Sequence, residues 1–256
     1  MNIIATIKSS LDKYTQPYRR WMAFKKGKIV KDRIKSHASY SGKYVLTIEP
    51  LDMGKGVWQY TRGVVKTKSG KEIAIVARNY SSFPFAFVEH HEDGHDYLVC
   101  GENYQGQTVI QLDTGKRVDY LPDAAKKGFG FCWTDINPSP DGKILAVEGC
   151  YWACPYEIVF YDFTTPMMTP FAEIDRDDAN DEFLGWVGPD EAKVGRTYEI
   201  SVKYGKREHE LTDEELAIVT ADSEKMVTDE EYEQVWKDVT DEIVWKRSTP
   251  CKGKPL

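Results

Sequence analysis

Apolar positions recur at two different periods along the chain. Near the start, Ile3, Ile4, Ile7, Leu11 and Tyr14 are spaced three to four apart, the period of one helix face, and Pro17 ends or redirects that helix because it has no amide to donate. A second short helix is predicted around Tyr18, Trp21 and Met22. From about Ile29 the pattern changes to short apolar runs separated by Gly, Pro, Asp and Ser, at 44–48, 63–65, 73–77, 85–88, 97–100, 108–112, 144–147, 157–161 and 198–202. Runs of this length bounded by turn residues read as strands. Beyond about residue 206 the texture turns helical. Thr212 with Glu215, and Thr228 with Glu231, have the spacing at which a Thr hydroxyl accepts from a first-turn amide while the Glu reaches back. After the second pair, Tyr232, Val235, Trp236, Val239 and Ile243 share one face of a continued helix, which is expected to dock on the β core. The predicted organisation is a basic helical segment (1–35), a β-repeat domain (36–205), acidic C-terminal helices packed on it (206–247) and a tail (248–256).

The middle region repeats itself. Setting Asp93-Gly94 against Asp141-Gly142, an offset of 48, brings Leu98-Val99-Cys100-Gly101 onto Ala146-Val147-Glu148-Gly149. With one residue inserted, 108–113 falls on 157–162. Weaker echoes begin at Ser41-Gly42-Lys43 and Gly188-Pro189-Asp190, a period of about 48 to 52 residues, which is the range of four-stranded propeller blades. The run Pro138-Ser139-Pro140-Asp141-Gly142-Lys143-Ile144-Leu145-Ala146-Val147, followed by Glu157-Ile158-Val159-Phe160-Tyr161-Asp162, resembles the inner-strand pair of a blade of the WD40 or TolB-like β-propellers. The resemblance covers mainly residues 93–162. It implies a tight hairpin at the Ser-Pro-Asp-Gly run and a mostly β fold of small or partial propeller-like antiparallel repeats, with short N- and C-terminal helices. A four-unit ring, an open fragment and a repeat-decorated sandwich all satisfy it.

Composition narrows the classes. The 256 residues are 41% hydrophobic and 29% charged, a globular balance that excludes wholesale disorder. No uninterrupted apolar run reaches the roughly 18 residues of a membrane span, and the stretch after Met1 is broken by Lys8, too short for a signal h-region. A cytoplasmic protein is therefore expected, with Cys100, Cys132, Cys150, Cys154 and Cys251 as reduced thiols. The net charge of −7 opposes nucleic-acid binding by the whole chain, although residues 1–35 carry ten Lys/Arg against two acids and residues 206–247 six against fourteen. That asymmetry fits either a basic arm for an acidic partner or two ends of one chain facing each other.

The sharpest catalytic pattern is His91-Glu92-Asp93-Gly94-His95. It is similar to the H-E-x-x-H of zincin metalloproteases, which implies zinc held by His91 and His95, with Glu92 as general base for hydrolysis. Asp93-Gly94 is nevertheless a hairpin signal between two strand-like runs, and glycine costs a helix roughly 1 kcal/mol. A second metal candidate is the sulfur set Cys132, Cys150 and Cys154, with Cys100 and a neighbouring histidine. Its spacing is irregular, and buried thiols pack without metal. The acidic pairs Asp177-Asp178 and Asp181-Glu182 lack the order of a calcium loop. There is no nucleophile elbow, phosphate loop or dinucleotide fingerprint, so no catalytic residue is assigned and no cofactor is implied.

What remains is a surface. Asn79 and Tyr80, then Asn103, Tyr104 and Gln105, then Tyr151, Trp152 and Tyr156 lie in loops of which the last two sets are equivalent in the repeat. Equivalent loops of a propeller emerge on one face, where rings and amides suit a protein or a small polar ligand. The leading expectation is thus a non-catalytic binding module. The alternative is a metal-dependent hydrolase built on His91, Glu92 and His95 or on the cysteines.

Overall fold

The computed structural model describes residues 24, 27–56, 58–151, 156–177 and 181–247. Within them, sixteen β-strands form four antiparallel sheets that follow one another in sequence. The first holds β1 (Lys28–Ile29), β2 (Lys35–Ala38), β3 (Tyr44–Asp52), β4 (Tyr60–Thr67) and β5 (Glu72–Arg78). Strands β1 and β2 pair with the two halves of β3, separated by a 3-10 turn at Lys31–Arg33. The second sheet is the meander β6 (Ala86–Val88), β7 (Tyr97–Cys100), β8 (Gln107–Gln111) and β9 (Arg117–Tyr120). A short helix α1 (Asp123–Lys126) leads to the third, β10 (Cys132–Pro138), β11 (Ile144–Cys150), β12 (Glu157–Asp162) and β13 (Glu173–Asp177). The fourth has β14 (Asp181–Gly188), β15 (Glu191–Ser201) and β16 (Trp236–Lys246), with helices α2 (Asp213–Ser223) and α3 (Asp229–Tyr232) between the last two strands.

Each core lies between consecutive sheets. Leu46, Val65 and Val76 of the first meet Leu98, Cys100 and Ile110 of the second. Val88, Tyr97, Val99 and Val109 meet Trp133, Leu145, Val147 and Val159 of the third. Ile144, Ala146, Ile158 and Phe160 then meet Ala192, Val194 and Trp245 of the fourth. Successive strand residues point to opposite faces. Leu98 and Cys100 therefore enter one core while Tyr97 and Val99 enter the next, and Ile144 and Leu145 divide the same way. The unbroken apolar runs of β7, β8, β11 and β12 belong to sheets buried on both faces.

Three of the four expected repeat starts share one turn, and the hairpin at Gly188-Pro189-Asp190 does not. The amide of Ser39 donates to the Tyr44 carbonyl, that of His91 to His95 and that of Ser139 to Ile144 (2.8–3.2 Å); in each turn Gly42, Gly94 or Gly142 donates back to the first residue. All three glycines have positive φ, +68°, +85° and +71°, which an L side chain adopts only with strain. Past the next strand pair a second repeated turn appears at Ser69-Gly70-Lys71, Thr114-Gly115-Lys116 and Tyr204-Gly205-Lys206, again with glycine at positive φ.

One sequence expectation is corrected. Both capping boxes form, with Thr212 and Thr228 accepting from Glu215 and Glu231, but α3 ends at Tyr232 and residues 236–246 are a strand rather than a helix. Six of those eleven residues are Trp, Val, Thr or Ile, side chains that lose rotamer freedom in a helix and pack well on a pleated surface. Full pairing of β16 along β15, from Ser201↔Trp236 to Glu191↔Lys246, decides the outcome. The two predicted N-terminal helices lie outside the described residues. Phe24 is described, and the Arg62 guanidinium stands 5.4 Å from its ring centroid.

Candidate functional site

The loops that leave β5 and β7 meet at one end of the first two sheets, around the buried side chain of Arg78. Its Nε donates to the Ser82 carbonyl (2.7 Å) and its Nη1 to the carbonyls of Gly101 (2.8 Å) and Asn103 (3.3 Å). Three backbone acceptors from two loops thus share one planar donor fork, a geometry that lysine does not supply. Burial pushes the guanidinium down to about 10. A side chain at Gly101 would meet Arg78 Nη1 at 2.9 Å and the Gly106 carbonyl at 2.6 Å, so a glycine is needed where the loop closes over the guanidinium.

On this base stand three rings. Tyr80 and Tyr104 stack with centroids 5.5 Å apart and planes 28° from parallel. Trp58, half exposed on the β3–β4 loop, approaches Tyr80 edge-on at 5.6 Å and Tyr104 at 6.3 Å. Tyr80 and Tyr104 are partly exposed. The amides beside them face inward. Asn79 Oδ1 accepts from the Tyr104 amide (3.0 Å), Asn103 Oδ1 from the Gln105 amide (2.9 Å), and Gln105 spans to the Gly128 carbonyl (3.2 Å) and the Gly130 amide (3.3 Å). Asn79, Asn103 and Gln105 therefore shape the loops, while the rings of Tyr80 and Tyr104 keep part of their surface exposed.

The remaining aromatics of the predicted surface divide. Tyr151 packs on Phe131 at 5.2 Å, with the Arg176 guanidinium over both rings at 5.5 and 5.3 Å. Tyr156 borders a separate acidic cleft with Glu148, Asp181 and Glu182. Trp152 lies outside the described residues. The structure thus brings Tyr80 and Tyr104 together and adds Trp58, which sequence reasoning missed: a single tryptophan in a loop without a repeat partner carries no periodic signal.

The H-E-x-x-H segment is a tight turn. His91 is buried, with Nε2 3.1 Å from the Phe163 carbonyl and Nδ1 3.0 Å from Asp93. His95 turns outward to Asp113 (2.7 Å), and Glu92 pairs with Lys143 (2.8 Å). Of the cysteines, Cys100 is buried and its thiol is pushed up to about 12 by burial. Cys132 and Cys150 face each other across β10 and β11. Cys154 lies outside the described residues. Among the described residues, no group of three or more His, Cys, Asp or Glu is placed to hold a metal ion. Arg196 bridges Asp177 and Asp181, and burial raises the Asp181 carboxyl. No described helix is long and apolar enough to cross a membrane.

No protein-family profile matches the chain. Over 198 residues it is 33% identical to Uncharacterized protein R762 of Acanthamoeba polyphaga mimivirus, an alignment covering 74% of this chain and 77% of that protein.

Proposed function

The chain belongs to the family of that mimivirus protein, and from that premise we propose a non-catalytic binding module that holds a protein or a small polar ligand on the loops at one end of its sheets. The observation that carries this reading is the contact of Trp58, Tyr80 and Tyr104, three rings from three loops gathered at the surface. Rings of this kind offer large contact area with little rotamer entropy to lose. The Arg78 fork beneath them fixes two of the loops before any ligand arrives, and such preorganisation lowers the cost of binding. We read the four sheets as blades of a small or partial β-propeller, which fits their meander order and the turn shared by the first three. A reducing compartment, the cytoplasm, suits the unbridged thiols of Cys100 and Cys150.

Parallel screens of peptides and small polar compounds against the native protein and its Tyr80→Ala and Tyr104→Ala variants test the proposal. At least one ligand retained by the native protein and weakened tenfold or more by both substitutions, with unchanged unfolding midpoints, is the expected result. Ligands held equally by all three proteins, or turnover of a screened compound, would sink it.

A further inference from the structure

Beside the aromatic trio lies a cleft of about 630 Å³, lined by the 3-10 turn, β2, the end of β3, the start of β4 and the β5–β6 connection. Its walls have two characters. Ile48, Phe83 and Phe85 form an apolar side, continuous with the core between the first and second sheets. Phe83 is seated so closely on the first sheet that a Cβ at Gly63 would fall 2.4 Å from its ring. The rim is polar, with Arg33, Lys35 and His37 on one side and Gln59, Ser81 and Ser82 on the other. In strand register Lys35 stands opposite Ile48 and His37 opposite Leu46. Both basic side chains therefore share the face that carries the core, where the core runs out. His37 is held there by the Phe85 ring at 5.0 Å.

Arg33 and Lys35 form no ion pair among the described residues, whereas Lys43, Arg62, Arg117, Lys143, Arg176 and Arg196 each meet a carboxylate. Asp32 is the one acid on the lining. In a chain of net charge −7, a concave site with two cations outside any ion pair, a single acid, adjacent hydroxyls and an apolar wall suits an anion. Gln59 and Ser81 are the chain neighbours of Trp58 and Tyr80, so the cleft and the rings adjoin.

We propose that this cleft binds the phosphoryl group of a small phosphate monoester, with Arg33 and Lys35 as its charge partners and the ester's flat ring laid toward Trp58 and Tyr80. The ring half of this assignment rests on the binding-module reading; the anion half does not. Amide-resolved NMR titration of the full chain, at ionic strength held constant with chloride, tests both halves using inorganic phosphate and phenyl phosphate as probes. Phosphate is expected to shift the amides of residues 31–37, 81–83 and 85, and phenyl phosphate to bind at least fivefold tighter and to shift residues 58 and 80 as well. The double variant Arg33→Gln/Lys35→Gln, both positions exposed, should weaken both probes at least tenfold without moving the unfolding midpoint. Phosphate shifts that persist in that variant, or that spread equally over Lys55 and Lys68, overturn the site. Phenyl phosphate no tighter than phosphate overturns the ring assignment. Tyr104→Ala separates the two proposals, since phosphate binding must survive it even where the aromatic surface fails to hold any ligand.

Discussion

Lys143 Nζ lies 2.8 Å from Glu92 Oε2, so the turn that opens β11 is fastened to the equivalent turn that opens β7. From the other side Lys43, in the turn before β3, reaches Asp96 at 3.2 Å. The second sheet's turn is therefore held by a lysine from each neighbouring sheet. The spacing that resembled a zinc site is used here to join three sheets, with the buried His91 ring bonded to the third sheet at Phe163.

Asp96 makes this joint sensitive to acid. Burial alone would raise its carboxyl, but the His90 amide (2.9 Å), Lys43 and the Tyr44 hydroxyl (3.0 Å) together hold it below the usual carboxylate range. A carboxyl whose folded-state pKa is depressed adds stability that is fully present above its unfolded value near 4 and is lost as pH falls through the folded value. Asp96→Asn is expected to cost about 1–2 kcal/mol at pH 7 and to lose less than the native protein does on acidification below about pH 4. Urea titrations at a series of pH values measure both; parallel acid limbs for the two proteins would refute the assignment.

The two histidines of the turn should behave oppositely. His91 has no exposed side-chain surface and packs edge-on against Tyr97 (5.6 Å) and Phe163 (5.9 Å), so His91→Ala is expected to cost about 2–4 kcal/mol through a cavity and an unpaired carbonyl. The His95 side chain is more than a third exposed, and His95→Ala should cost under about 1 kcal/mol. Chemical denaturation of both variants decides the matter, and equal losses would contradict the buried placement of His91.

Gly94 and Gly142 occupy equivalent turns yet differ in surroundings. Both have positive φ, but a Cβ at Gly142 would stand 2.7 Å from Val88 Cγ1 while one at Gly94 meets nothing within 4 Å. Gly94→Ala should cost about 1 kcal/mol from backbone strain alone. Gly142→Ala adds a clash with a β-branched side chain and should cost roughly 1 kcal/mol more. The difference between the two unfolding free energies is the quantity to measure.

The parts of the fold legible in the sequence were those that local chemistry determines. The runs at 97–100 and 144–147 are apolar without interruption because each feeds two cores, and the glycines at 42, 94 and 142 mark turns that require positive φ. The second glycine turn, at positions 70, 115 and 205, went unread because three-residue matches are short among 19 glycines. Strand β16 was hidden for a different reason. Trp236, Val239 and Ile243 satisfy helical spacing, and only long-range pairing with β15 selects the strand. Of the site, Tyr80 and Tyr104 were readable as loop aromatics, whereas the inward commitment of Asn79, Asn103 and Gln105 depends on which backbone groups Arg78 gathers.

Thiol accessibility offers an independent check on the cores. Burial holds the Cys100 thiol at about 12, leaving almost no thiolate at pH 8, and thiolate is the reactive species. In the native protein a maleimide is expected to leave Cys100 unmodified while labelling the half-buried Cys150. Labelling of Cys100 should then proceed at the unfolding rate. Peptide mapping by mass spectrometry reads both sites, and rapid native labelling of Cys100 would place β7 outside the core.

Trp245 packs the fourth sheet against the third together with Ala192 and Val194. Its ring lies flat on Phe160 of the third, with centroids 3.7 Å apart and planes 2° from parallel, and its Nε1 donates to Asp175 at 2.8 Å. Trp245→Phe keeps a ring in place and loses the hydrogen bond to a carboxylate, an expected cost of about 1.5–3 kcal/mol. Trp245→Ala removes the stack as well and should cost about 3–5 kcal/mol. Hydrogen exchange separates local from global effects: in the alanine variant the amides of β15 and β16 should lose protection before those of β7 and β8. Their simultaneous loss would mean that the fourth sheet unfolds only with the rest of the chain, and that the aromatic stack is one contact among many rather than its anchor.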